Sequence, residues 1–121
     1  MVHRFGKQIP DFVRADIHKD IDRLEQLAAD LEVVSGLTPF PLEKLLARSQ
    51  PNAPILEDWR ISFRPVVCLQ GRATGHPELP GEHRPIVTSE IHLFSDELGW
   101  ARSVSRFYRL GRPFSVLRKD S

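Results

Sequence analysis

Cysteine is nearly absent from this chain of 121 residues: Cys68 stands alone. A single thiol excludes an internal disulfide framework. Secreted domains of this size usually carry paired cysteines, so the expected location is the cytoplasm. Long apolar runs are missing as well. None reaches the roughly 18 residues that a membrane-spanning helix requires, so no membrane partner is expected. The opening stretch MVHRFGKQIPDF lacks the apolar segment of a secretory signal. The glycines at 71, 75 and 81 have neither the spacing nor the lysine of a phosphate-binding loop. His3, His18, His76, His83, His92 and Cys68 show no zinc-type spacing. No metal and no cofactor is therefore expected.

Charge of one sign is also lacking overall, with 17 basic against 16 acidic side chains. That balance opposes strong non-specific binding to DNA. The distribution is uneven, and more informative than the total. Residues 1–50 hold seven basic and eight acidic groups, and residues 51–100 hold four and seven. Residues 101–121 hold Arg102, Arg106, Arg109, Arg112, Arg118 and Lys119 against Asp120 alone. A working surface is therefore sought in the last third of the chain.

The residues that are present describe one small domain. A chain of this length can bury a core without disulfides. Val13, Ile17, Ile21, Leu24, Leu27 or Ala28, Leu31 and Val34 recur at steps of three and four, which is a helical period. Asp11 suits the start of that helix and Gly36 its stop, giving a long amphipathic helix from about Asp11 to Ser35. Its apolar stripe is expected to be buried against other structure. A short helix is expected over Pro41–Arg48, followed by the turn-rich segment 49–54.

Beyond it the period changes. Trp59, Ile61 and Phe63 alternate with Arg60, Ser62 and Arg64, as in a strand interrupted by Pro65. Residues 71–85 read as a long loop, and Ile86–Phe94 as a strand. SDELG at 95–99 reads as a hairpin turn, and Trp100–Leu110 as a final strand. In that strand Trp100, Arg102, Arg106 and Tyr108 would share one face, with Arg109 on the other. Residues 114–121 form a basic tail, read as a strand remnant or frayed end. Helices first and strands after predict a segregated α+β fold. The expected architecture is a long and a short helix packed on a small antiparallel sheet of three to four strands. The whole chain, 1–121, reads as a single domain, with a helical part at about 10–48 and a β part at about 56–113.

Two constellations suggest chemistry. Arginines interleaved with aromatics in WARSVSRFYRLGRP, residues 100–113, suit either a protein interface or nucleic acid. The plainer alternative pairs those arginines with Glu57, Asp58, Glu90, Asp96 or Glu97. His76, in Gly75-His76-Pro77, is placed on a constrained turn. It is either an acid–base group or a capping histidine. Ser89 with Glu90 and His92 resembles a catalytic set on paper, but a mid-strand serine has neither the sharp turn nor the oxyanion hole that such a nucleophile needs. Cys68, after two valines, reads as a small buried hydrophobe.

Several stretches resemble an uncharacterised family of small bacterial proteins. They are Leu56-Glu-Asp-Trp59, Cys68-Leu-Gln-Gly71, Gly75-His-Pro77, Ile86-Val-Thr-Ser89 and Gly99-Trp-Ala-Arg102. The most specific is Ser105-Arg-Phe-Tyr-Arg-Leu-Gly111. The similarity covers about residues 53–113, with a weaker echo at Ala29-Asp-Leu31. Family members usually carry threonine where this chain has Ser103, an exchange that keeps a hydroxyl. The resemblance implies no activity, fold or catalytic residue. It implies a setting in accessory or mobile bacterial DNA.

The expected function is thus a non-enzymatic binding or regulatory module. Trp100, Arg102, Arg106, Tyr108, Arg109 and His76 are its candidate contact residues. A protein partner is favoured over nucleic acid, an inhibitor of a host defence complex being one concrete version. A nucleic-acid-binding regulator and a small histidine-dependent hydrolase are the alternatives.

Overall fold

Proline and glycine decide where the helices begin and end. The structure, a computed structural model, describes residues 2–115. Strand β1 is the short His3–Arg4, and helix α1 follows at Asp11–Val34. The Pro10 carbonyl accepts from the amides of Val13 and Arg14, closing the first turn of α1. At the far end Gly36 takes the left-handed conformation, φ 78°. Its amide donates to the Val33 carbonyl while Leu37 donates to Glu32. This paired closure satisfies carbonyls that the helix leaves open, and a β-carbon at Gly36 would strain it. Helix α2 spans Leu42–Ser49, one residue later than expected, with Pro41 as its cap. A single 3-10 turn, Gln50–Asn52, follows.

The chain forms two compact units. One joins the residues up to Arg14 with those from Pro65 onward, and the other is Ala15–Arg64. The second unit is helical, with Leu45 buried on α2. Of the stripe assigned to a core on α1, Val13 is buried and Ile17 half-buried, while Leu24, Leu27, Leu31 and Val34 are 46%, 54%, 58% and 62% exposed. The unit has no sheet of its own on which to lay it. The strand expected around Trp59, Ile61 and Phe63 is not formed, and all three side chains are exposed. Alternation alone supplies no partner edge, and a strand without one leaves its amides to water.

The other unit holds the strands. Strand β2 is Gln70–Ala73, β3 is Arg84–Val87, β4 is Ile91–Ser95, β5 is Trp100–Ser103 and β6 is Phe107–Arg109. They form a four-stranded sheet in the order β1-β4-β5-β6 and a separate ribbon of β2 with β3. The α+β class and the strand count agree with expectation. The sheet is mixed, however, because β1 runs parallel to β4 while the other pairings are antiparallel.

Three expected boundaries are corrected. The loop at 71–85 is partly ribbon, with Gly71 opposite Ile86 and Ala73 opposite Arg84. The single strand at 86–94 breaks at Thr88–Glu90, so its halves enter different sheets. The single strand at 100–110 folds back on itself as β5 and β6. The predicted turn at 95–99 is present. The Gly99 amide donates to the Ser95 carbonyl and the Leu98 amide to the Ser95 hydroxyl.

The core of this unit is small and partly polar. Ile91, Ala101 and Ser95 are fully buried, and Ser103 is 2% exposed. The two serines bracket β5, each closing a turn through its hydroxyl. In β4, His92 is the extra residue of a bulge, since Ile91 pairs with Ser103 but Leu93 already pairs with Arg102. The expected buried Cys68 is exposed. It lies in the non-strand approach to β2, where the Val67 and Leu69 carbonyls receive the Ile91 and Thr88 amides. Those bonds fix the backbone there without enclosing the thiol. Of the expected basic tail, residues 116–121 lie outside the described residues.

Candidate functional site

The turn between β5 and β6 decides which side chains meet. Ser103 accepts from the amides of Ser105 and Arg106 at 3.1 Å each and donates to the Arg106 carbonyl at 3.2 Å. The Ser103 amide also donates to that carbonyl. A small hydroxyl residue can make these bonds within three residues of its own backbone, which is why it favours turns over continued strand. The chain therefore reverses at Val104–Arg106 and returns as β6. Trp100 then lies opposite Arg109, Ala101 opposite Tyr108, and Arg102 opposite Phe107.

Residues directly opposite share a face of the sheet. Trp100, Arg102, Phe107 and Arg109 thus lie on one face, and Ala101 and Tyr108 on the other. Tyr108 does not join Trp100, as an unbroken strand would require, and Arg109 does. Arg106 sits in the turn.

The first face carries a chain of rings. Phe5 meets Trp100 edge-on at 5.5 Å between centroids, and Trp100 meets Phe107 edge-on at 5.6 Å. The Arg102 guanidinium lies 5.2 Å from the centre of the Phe107 ring and donates to the Ser103 carbonyl. Such contacts favour one arrangement of flat groups and leave a broad apolar surface beside a positive charge. Phe107 is 66% exposed, and Arg109 beside it is exposed. Trp100 is half-buried. Phe5 and Phe107 were not singled out by sequence. The alternation of His3 and Phe5 was a weak sign for β1, and the hydroxyl residues Ser103 and Ser105 were a weak local sign of the reversal.

The other face leads to His76. Its Nδ1 accepts from the amides of Glu78 at 3.1 Å and Leu79 at 3.2 Å. Its Nε2 lies 3.4 Å from the Tyr108 hydroxyl, and the rings are tilted at 41°. With Nδ1 accepting, the hydrogen-bond pattern assigns the neutral ring's proton to Nε2, which donates toward Tyr108. His76 is thus a local cap for the turn after Gly75, itself in a left-handed conformation at φ 80°. The Arg106 guanidinium reaches the Glu78 carboxylate at 3.5 Å. A cleft of about 210 Å³ lies between these groups, lined also by Thr88, Ser89 and Ser105.

Ser89 lies in the break between β3 and β4, not within a strand, and its hydroxyl is 3.2 Å from that of Ser105. The nearby His92 ring pairs with Glu90 at 3.9 Å. Of the carboxylates offered as arginine partners, none is the one Arg106 meets. Glu78 is that group, brought close because the loop after β2 folds back over the hairpin. Replacing His76 with alanine is expected to cost about 1 kcal/mol, through loss of the acceptor shared by two amides. Hydrogen exchange at Glu78 and Leu79 should quicken. Unchanged exchange at both would dismiss the capping role.

A longer groove of about 1200 Å³ follows β6 and the segment after it. It is bounded by the β2 side of the ribbon and includes His76, Trp100, Phe107 and Arg109. The six candidate residues thus divide. Trp100, Arg102 and Arg109 share a ring-bearing face, His76 and Tyr108 meet behind it, and Arg106 joins the cleft through Glu78. No helix among the described residues is long and apolar enough to cross a membrane.

Fold and site together define an α+β chain whose last strands form a basic, aromatic hairpin beside a groove. The chain belongs to a family of unknown function (DUF6634), whose model matches residues 19–120 and so includes the whole hairpin. Comparison with curated proteins and with solved structures gives no match.

Proposed function

We propose that this protein is a small, non-enzymatic binding module that engages a protein partner through the β5–β6 hairpin. The observation that carries this reading is the ring chain Phe5–Trp100–Phe107, with Phe107 open to solvent and Arg102 and Arg109 on the same face. Aromatic and arginine side chains dominate the energetics of protein interfaces, because they bury large areas in well-packed pockets from which water is excluded. The reading extends to a cytoplasmic protein of bacterial accessory or mobile DNA. An inhibitor of a host defence complex is its most concrete version.

A hydrolytic role has less support. A general base needs a free lone pair within reach of substrate. The Nδ1 lone pair of His76 is engaged by two amides, and its Nε2 carries the proton. A nucleic-acid-binding role draws on the same arginines, but Arg102 is turned onto Phe107 and Arg106 meets Glu78.

The test is capture from the native host with the wild-type chain and with a Phe107→Ser, Arg109→Glu variant. Both positions are exposed, so the fold should persist, which circular dichroism checks. The expected result is a set of proteins held by the wild type and released by the variant. Recovery of nucleic acid whose retention falls steeply with salt would instead establish the regulator reading. Identical protein sets from both chains would remove the hairpin as the working surface.

A further inference from the structure

Strand β6 forms one edge of the four-stranded sheet. Cross-strand bonds run from the Leu110 amide to the Gly99 carbonyl and from the Ser103 amide to the Arg106 carbonyl, each at 2.9 Å. In an antiparallel pair the residues alternate between those that bond to the neighbour and those that face away. Arg106, Tyr108 and Leu110 therefore direct their backbone groups toward β5. Phe107 and Arg109 direct theirs outward. Among the described residues β6 has β5 as its only neighbour in the sheet. The groove of about 1200 Å³ is lined by Phe107, Tyr108 and Arg109 of β6 together with Gln70–Ala73 of β2.

We propose that this groove binds an acidic peptide segment in extended form, added to the sheet as a further strand against β6. The proposal rests on the hairpin being the working surface and names the chemistry of the partner. Three features agree on that chemistry. The outward amides and carbonyls of Phe107 and Arg109 match the backbone of an extended chain, and strand addition draws its affinity from such bonds. The groove is bordered by Arg72, Arg109 and Arg112, with Asp96 as the only carboxylate among its described lining residues. None of the three arginines has a carboxylate partner among the described residues. Finally, the two faces of β6 differ, so alternate side chains of an added strand meet different surroundings. One set lies toward Phe107 and Trp100, the other toward Tyr108 and His76. Single-stranded nucleic acid would use the arginines and rings, but it would leave the outward backbone groups of β6 without matched partners.

The probe is a fluorescein-labelled peptide of about ten residues alternating Glu with Val, a length that suits strand addition. A counterpart with Lys in place of Glu and a labelled oligothymidylate are tested beside it against the full chain. Anisotropy should show saturable binding of the acidic peptide that weakens with salt, and neither of the others should compete. Amide exchange at Phe107 and Arg109 should slow on binding. Two variants separate charge from backbone. Arg109→Gln removes the charge alone. Arg109→Pro also removes an outward amide that β5 does not use, a placement proline tolerates at a sheet edge. The proline variant should bind at least about tenfold more weakly than the glutamine variant.

Equal binding by the two variants overturns strand addition, as does tighter binding of the oligothymidylate. Equal binding of the acidic and basic peptides overturns the charge assignment. If the acidic peptide fails to bind while Phe107→Ser, Arg109→Glu still empties the native capture, the peptide class is wrong and the hairpin remains the surface.

Discussion

Ser103→Ala should destabilise the strand-bearing unit by about 2–4 kcal/mol, because two amides lose the buried hydroxyl that accepts from them. Ser103 is 2% exposed, and its hydroxyl makes three bonds that close the β5–β6 turn. Alanine fits the space and leaves the Ser105 and Arg106 amides unpaired. The loss should appear as a lower urea midpoint with an unchanged slope. Ser103→Thr keeps the oxygen, and its cost should be confined to placing one extra methyl group in a packed site. An alanine variant as stable as the wild type would show that the turn is held by its backbone bonds alone. Function should follow stability here. An open turn releases β6 from its register, so Phe107 and Arg109 lose their place beside Trp100 and Arg102. The alanine variant should therefore lose captured partners even at temperatures where most of the chain is folded.

Ile91→Ala should be the most damaging apolar truncation, at about 2–5 kcal/mol. Ile91 is fully shielded from solvent and lies opposite Ser103, directly before the bulge in β4. Its amide donates to the Val67 carbonyl, so its backbone also ties the approach to β2 to the sheet. Alanine removes three carbons from a site held by strand pairing to Ser103 on one side and by the bond to the Val67 carbonyl on the other, which limits its collapse. Ile91→Val, which removes one carbon, should cost about 0.5–1.5 kcal/mol. Denaturant titrations of the three chains give the comparison. The core is so short of large apolar groups that one truncation removes a substantial share of it. Equal midpoints for alanine and wild type would place the stabilising core elsewhere in the chain.

Much of the architecture was legible in local pattern. The long helix was visible because its apolar residues recur at three and four and because Gly36 supplies the left-handed stop. The hairpin turn at 95–99 was visible because Gly99 provides positive φ directly before a strand. The α+β class followed from the change of period along the chain. These features depend on residues within a few positions of one another, and local chemistry constrains them strongly.

The candidate site was only partly legible, since strand pairing relates residues that are distant in sequence or reverses those that are near. Alternation from Trp100 to Leu110 cannot tell one long strand from two short ones. The choice was made by Ser103, whose hydroxyl satisfies the turn, and by the pairing of Arg102 with Phe107. That reversal moved Tyr108 away from Trp100 and toward His76, and brought Arg109 to the ring-bearing face. Phe5 entered the site from the far end of the sequence because β1 pairs parallel to β4. Alternation at Trp59, Ile61 and Phe63 was equally clear and produced no strand, for want of an edge to join. The sequence by itself determined the helices, the tight turns and the basic, aromatic character of the last strands. Only the tertiary structure decided which of those side chains share a face, because a sheet is closed by long-range hydrogen bonds that no local pattern encodes.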